Sequence, residues 1–454
     1  MPMEKLKISE IAGALGTACP MEGEVLSLCT DSREVTPGCL FVAIQGERFD
    51  GHDFIARALE QGAACALAHH GGDFPRDRVL MVDDTLRGLL RLAAWYRSRF
   101  DVRVAGVTGS VGKTTTKDMM AAVLSSKYRT IKTLGNQNNE IGAPKTLLTI
   151  GRDTQAAVVE MGMSGFGEIR DLALAARPQL GVITSIGVSH IELLGSRENI
   201  LRAKLELADC LPDGAPLLLC GDNDLLREVK IPRLNIIFYG IDNPNCQICG
   251  TIKGGTPFST DFSIRWQGKS YDAAIPGTGS HLVLDALAAF GTGVEMGLSP
   301  EEAVEALKGY TPSGMRQKVV EHHGVTVVED CYNASPDSMA AALDTIRTFP
   351  AAGRRIFVMS DMLELGEIGP SCHRQVGEKA ASGGVDLLLA WGDLSREAVE
   401  GARERGMRDA RFFQDKAELT EELADLVRAG DLVWFKASRG MKLEEVIQGL
   451  YQRV

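Results

Sequence analysis

RVAGVTGSVGKTTTK, residues 103–117, begins as an apolar strand, turns on two glycines and ends as the first turn of a helix. That order makes a phosphate cradle. Glycines let backbone N–H groups close around phosphate oxygens at a helix N-terminus, Lys113 can reach the outer phosphates, and the Thr114 hydroxyl can ligate Mg²⁺. The strict G-x-x-x-x-G-K-[ST] pattern is not met, because its first glycine would fall on Val107. The shorter set Gly109, Ser110, Val111, Gly112, Lys113 and Thr114 remains, with Thr115 after it, in the strand–turn–helix context that the mechanism needs. A chance glycine turn is the plainer alternative, and the run of threonines speaks against it.

Outward from this stretch, apolar runs recur at AAVVEMG (156–162), LGVITSIG (180–187), LLLC (217–220) and NIIFYG (235–240), with helical patterns between several of them. Strands alternating with helices predict a parallel sheet covered on both faces. Upstream, short strand-like runs and a helix through Leu89, Leu92, Ala93 and Tyr96 predict a small α/β domain ending near residue 100. Downstream, residues 243–277 read as a polar, turn-rich interruption before a helix at 281–290, and Pro312, Ser313 and Gly314 mark a domain joint. The α/β rhythm then resumes with VTVVED, RIFVMSD, VDLLLAWG and DLVWFKAS. Ser335, Pro336 and Asp337 signal one helix start in this part. The expected fold is therefore α/β in three domains, 1–100, 101–311 and 312–454, the last two nucleotide-fold-like.

The 454 residues exceed what one core usually organises, and 44% hydrophobic with 24% charged residues excludes disordered and collagenous classes. A net charge of −11 disfavours nucleic acid as a partner, although a local basic pocket for phosphates stays open. No apolar run is long enough to span a bilayer, and the first residues lack the features of a signal peptide, so a cytoplasmic protein is expected. Ten cysteines are scattered, and the one tight pair, Cys246 and Cys249, has no second pair to complete a zinc site; reduced thiols are expected.

A P-loop serves NTPases, kinases, switches and ligases alike, so other residues must discriminate. Glu160 ends an apolar strand, where open parallel sheets present ligand-binding groups; an ordinary strand-end carboxylate is the alternative. His190 follows another such strand and is as readily structural as catalytic. Lys204 lies within the apolar face made by Ile200, Leu207, Ala208 and Leu211 on a helix over residues 199–211. A lysine there must snorkel, pair or lose its charge. A desolvated amine can react with CO₂, and the carbamate so formed would turn a cation into an anionic metal ligand.

Together, TGSVGKTTTK (108–117), GNQNNEIG (135–142), EMGMSGFGEIR (160–170), ITSIGVSHIELLGSRENILRAKLE (183–206) and VVEDCYNASPDSMAAAL (327–343) resemble, in order, the signatures of the Mur ligases. DSREVTPGCLFVAIQGERFDGHDF (31–54), VMSDMLELGE (358–367) and VWFKASRG (433–440) extend the resemblance over almost the whole chain. It implies a small α/β substrate domain for a UDP-sugar, a central P-loop ATPase-like parallel-sheet domain and a C-terminal Rossmann-like α/β domain that swings in. The implied chemistry is ATP-driven amide formation in peptidoglycan precursor synthesis. The terminal carboxylate of UDP-MurNAc-tripeptide takes the γ-phosphate, and D-Ala-D-Ala attacks the acyl phosphate. The implied cofactors are ATP, two Mg²⁺ ions and a CO₂-derived carbamate on Lys204; a monomer is expected.

By motif position, Thr114, Glu160, His190 and carbamoylated Lys204 would hold metal, with Lys113, Glu160, His190 and Lys204 carrying catalysis. The resemblance places Asn138, Asn139, His281, Asp285, Arg316 and Asp330 around ATP. It places Ser32, Arg33, Asp50, Gly51, His52, Asn333 and Ser335 toward the other substrates, although Ser335 can also simply cap its helix. The chain departs from the family in SHLVLDALAA (280–289), where Leu282 and Asp285 stand in place of asparagines, and at Ala437, where glycine is usual. Two rivals remain. One is a sister or folate-polyglutamate ligase; the DNPR motif of the diaminopimelate-adding relatives has only DNPN at 242–245 as a counterpart, in the wrong domain. The other is a non-catalytic P-loop switch.

Overall fold

A computed structural model describes residues 2–19, 21–46 and 48–453; Glu47, inside the amino-terminal motif, lies outside the described residues. Among the described residues the strands form three sheets, of five, nine and six strands. The chain packs as two compact bodies, one of Met1–Thr108, Lys127–Gly181 and Leu205–Ala215, the other of Gly109–Ser126, Val182–Lys204 and Pro216–Val454.

In the first body, strands Pro2–Lys7, Glu24–Cys29, Cys39–Val42, Cys65–Ala68 and Val79–Met81 lie side by side in chain order. The first pair is antiparallel and the rest parallel. CLFV and CALA are buried at every position, as inner parallel strands covered on both faces require. Helix Thr85–Arg97 starts at Asp84, whose carboxylate accepts from the Arg87 N–H at 2.8 Å. Its last turn ties distant parts of this body together. The Tyr96 hydroxyl donates to the Ile150 carbonyl at 2.6 Å, and the buried Arg97 guanidinium donates to the carbonyls of Ala176, Phe100 and Val102. These bonds explain why the strands Arg103–Thr108, Ala156–Glu160 and Thr130–Lys132, parallel in that order, belong to the same compact unit.

The second body carries helix Lys113–Ser125, against which helix Ser280–Glu295 packs, Asp285 meeting Thr116 and Gly293 lying against Val123. Strands Pro216–Cys220 and Asn235–Gly240 run parallel. The region expected to be turn-rich is instead three paired strands, Ile248–Thr256, Ser259–Trp266 and Lys269–Pro276, the last two pairings antiparallel. Its sequence conceals this. Six of the nine residues of Ile248–Thr256 face solvent, and the strand carries glycines and a register shift after Ile252, while Ser259–Trp266 alternates buried with more exposed positions.

The six-stranded sheet has the order Lys318–His322, Val325–Glu329, Leu432–Lys436, Arg355–Met359, Leu387–Trp391 and Ala410–Phe413. Only its first pairing is antiparallel. Val328, Phe357, Leu388 and Trp434 fill one face, and Val327, Val358, Leu389 and Phe435 the other. Full burial of each such side chain contributes about 1.5–3 kcal/mol. Leu432–Lys436 sits between strands that precede it by far in sequence, so the strand order reverses there. Ligand crevices form at such a reversal, beyond the carboxyl ends of the strands.

Candidate functional site

Strand Arg103–Thr108 leads into the glycine turn, and Gly112 adopts φ 84° as the residue before helix Lys113–Ser125. A Cβ at that position would lie 2.7 Å from Asp285 Oδ1, so position 112 requires glycine on both counts. Residues 184–187 brace the turn from the same body. The Ser110 N–H donates to the Ser185 carbonyl at 2.9 Å, the Val111 N–H to Ser185 Oγ at 3.0 Å, and the Gly187 N–H to Ser110 Oγ at 2.9 Å. Lys113 Nζ curls back to the Gly109 carbonyl at 2.7 Å, which places its charge inside the cradle. Arg316 donates to Thr114 Oγ1 at 3.2 Å while its guanidinium lies 3.6 Å over the Tyr332 ring. Thr115 hydrogen-bonds Tyr310.

The same body holds His190 and Lys204. Lys204 is 2% exposed on helix Arg197–Asp209, and burial, reinforced by the charge of Lys113, pushes its amine well below the usual lysine range. The lysine expected on the apolar face is buried there, in surroundings that disfavour its charged form. His190 Nδ1 lies 2.8 Å from Glu364 Oε2. Burial lowers the His190 pKa, Glu364 opposes the shift, and Lys113 and Lys204 add to it.

In the first body Glu160 is 1% exposed at the end of its strand. Its Oε1 accepts from Asn138 Nδ2 at 2.7 Å, and its N–H donates to Thr133 Oγ1 at 3.0 Å. Asn139 Oδ1 accepts from the Gly142 N–H at 3.0 Å, which organises the polar turn before helix Gly142–Leu148. As Mg²⁺ ligands, the Thr114 hydroxyl and Glu160 carboxylate offer the hard oxygens that the ion prefers. Lys204 suits the ion only once its amine carries a carboxylate, which the uncharged form favoured by burial can take up from CO₂. His190 offers a ring nitrogen, which Mg²⁺ takes less readily than oxygen.

The remaining sequence candidates fall into local groups. Asp50 accepts from the His52 N–H at 2.9 Å, His52 Nδ1 at 2.6 Å and His70 Nε2 at 2.9 Å. Burial would raise the Asp50 carboxyl, but these bonds hold it at about 2. Gly51 begins the short helical turn beside it, and His52 stacks on His70 at 3.7 Å. His69 and His70 were not anticipated; the signal available was a His-His pair directly after strand Cys65–Ala68. Arg33 is paired with Asp31 at 2.6 Å, next to Ser32.

In the second body Asp330 pairs with Lys436 at 2.8 Å, both buried at the carboxyl ends of adjacent strands. Lys436 also reaches the carbonyl of the exposed Asn333 at 3.4 Å. Ser335 Oγ accepts from the Ser338 N–H as the cap of helix Pro336–Thr348. His281 Nε2 meets Gln317 at 2.9 Å, and burial lowers its pKa to about 4.

Asp285, the departure from the family's asparagine, accepts from Thr116 Oγ1 at 2.7 Å, and burial raises its carboxyl to about 8. The unfolded chain loses this proton near pH 3.8, the folded chain near 8. Stability from this group is therefore complete below about pH 4 and falls as pH rises to 8, by about 1.4 kcal/mol per unit. Asp285→Asn, which still accepts from Thr116, removes that slope. The urea midpoint of the variant relative to the parent should rise from pH 5 to pH 8; an equal difference at both would show that Asp285 is ionised in the fold.

Residues 24–89 match the Mur ligase family catalytic domain, 107–293 the Mur ligase middle domain and 315–439 the Mur ligase glutamate ligase domain. The chain is 38% identical over 447 residues to the UDP-N-acetylmuramoyl-tripeptide–D-alanyl-D-alanine ligase of Bacillus subtilis, covering 97% of this chain and 96% of that protein. It is 34% identical to the ligase of that name in Escherichia coli, with 94% of each covered. A crystal structure of MurF from Acinetobacter baumannii superposes with a TM-score of 0.93 at 28% identity, covering 100% of both chains. MurF ligase of Thermotoga maritima in complex with ADP gives 0.84 at 29% identity, with 94% and 97% covered. With its P-loop, its buried lysine and these likenesses along its whole length, the chain belongs to the Mur ligase family.

Proposed function

We propose that this chain is the ATP-dependent ligase that joins D-alanyl-D-alanine to UDP-N-acetylmuramoyl-tripeptide, giving the pentapeptide precursor of peptidoglycan, ADP and phosphate. The observation that carries the reading is a braced phosphate cradle, with Lys113 folded into it, in the same body as a lysine, Lys204, buried to 2% exposure. A simple P-loop switch has no use for that amine. The relatives named for this reaction support the choice of substrates, and the ADP complex of the Thermotoga maritima structure supports the nucleotide.

In this reading Lys113, Arg316 and the N-terminus of helix Lys113–Ser125 hold the ATP phosphates and neutralise the charge that gathers on transfer. The substrate carboxylate attacks the γ-phosphorus, breaks its bond to the ADP oxygen and becomes an acyl phosphate. The dipeptide amine then attacks the acyl carbon; a proton leaves the nitrogen and phosphate leaves the carbon. Thr114, Glu160, His190 and carbamoylated Lys204 would hold two Mg²⁺ ions, whose chemistry is neutralisation of the phosphate oxygens. Asn138, Asn139, His281, Asp285 and Asp330 belong to the nucleotide side of this proposal. Ser32, Arg33, Asp50, Gly51, His52, Asn333 and Ser335 belong to the other substrates. Domain limits of 1–100, 101–311 and 312–454, a monomeric state and a cytoplasmic location complete it. Among the described residues no helix is long and apolar enough to cross a membrane.

Phosphate release with ATP and UDP-MurNAc-tripeptide should depend on D-Ala-D-Ala. Release at the same rate without the dipeptide would point to an ATPase or switch. Exchanging lysine for diaminopimelate at the third peptide position in this assay identifies the preferred substrate.

A further inference from the structure

The segment between strand Leu180–Ile183 and helix Arg197–Asp209 is gripped from two sides within the second body. On one side Ser185 and Gly187 brace the phosphate turn through Ser110 and Val111. On the other, Val188 packs against the core of the six-stranded sheet and its N–H donates to the Asp337 carboxylate. Gly187 lies so near that carboxylate that a Cβ would collide with it. Glu192 lies beside Gly366, where a Cβ would stand 3.3 Å from its Cγ.

At the centre of this grip His190 Nδ1 lies 2.8 Å from Glu364 Oε2, an ion-pair distance without the alignment of a hydrogen bond. Both are non-glycine residues in the left-handed region, at φ 64° and 63°. Backbone of this kind persists only where the surroundings over-determine it, and it concentrates at functional sites. Glu364 occupies the loop after strand Arg355–Met359, far in sequence from the turn it completes. A carboxylate on one imidazole nitrogen fixes the ring and raises the basicity of the other nitrogen.

The geometry points to Glu364 as a positioning residue for the reaction: it engages His190 Nδ1 and so commits Nε2 to the metal site. This rests on the proposal that His190 is a metal ligand. It adds that the ligand is oriented from the carboxyl-terminal sheet, so that the metal site is complete only while that sheet's loop is docked on residues 185–192.

The test uses the full-length protein with ADP and Mn²⁺ as a spectroscopic substitute for Mg²⁺, free Mn²⁺ being read by electron paramagnetic resonance. Glu364→Gln should weaken Mn²⁺ binding about tenfold and lower kcat by about ten- to a hundredfold, with KM for ATP and Tm near those of the parent. Glu364→Asp, which keeps the charge, should recover part of both losses. Glu364→Gln with unchanged Mn²⁺ affinity overturns the inference, whatever its kcat. If Glu364→Gln fails to fold, Glu364→Asp decides, since parent-like Mn²⁺ affinity and kcat there would equally overturn it. His190→Ala separates the two levels. Weaker Mn²⁺ binding in His190→Ala but not in Glu364→Gln removes only the role of Glu364, whereas no change in His190→Ala removes the metal-ligand reading beneath it.

Discussion

Lys113→Ala lowers kcat by about 10³-fold or more, because it removes the cation set inside the phosphate cradle, where charge develops during phosphoryl transfer. The side chain is half-buried, and its bonds run to the carbonyls of Gly109 and Ser110 within its own turn. Loss of those bonds should cost about 1 kcal/mol of stability. Steady-state turnover with all three substrates checks the first expectation, and circular dichroism with thermal melting checks the second. Lys113→Arg keeps a positive charge but not the compact ammonium, and it should recover only part of the rate. Unchanged turnover in Lys113→Ala would mean that the glycine turn does not hold the nucleotide.

The second large effect concerns Lys204. Lys204→Ala removes both the amine and any anion built on it, and activity should fall at least about a hundredfold, more than loss of an outer partner of a metal ligand typically costs. Added formate or acetate should restore part of the rate, because a short carboxylate can enter the space and supply the missing oxygens. The amine must be neutral to react, and burial, reinforced by the charge of Lys113, favours that form. Carbamate occupancy, followed with ¹³C-labelled CO₂, should persist as pH falls through the range where an ordinary lysine is fully protonated. Full activity in the unrescued variant would remove the carbamate from the proposal.

The parts of the site legible in the sequence were those written in consecutive residues. The strand, glycine turn and helix of residues 103–125 form an uninterrupted pattern, and Lys204 betrays itself by breaking the apolar face of one helix. Ser335 likewise caps the helix that its neighbours Pro336 and Asp337 announce. The parts that stayed hidden depend on chain segments distant in sequence. Glu364 meets His190, Lys436 meets Asp330, and His70 meets Asp50 only once segments distant in sequence have been folded together. The three strands from Ile248 to Pro276 were missed for another reason. Solvent-facing strands with glycines lack the apolar run by which a buried strand is recognised.

Those three strands also mark where the molecule can change length. Their pairing is antiparallel and sequential, and the turn between Thr256 and Ser259 is exposed. Adding a pair of residues there, one to each arm, would extend the ribbon by about 3.4 Å and shift no parallel strand out of register. An insertion in the phosphate turn or in residues 184–194 would have no such outlet. The ribbon can therefore take up added length while the cradle and the buried lysine keep their spacing.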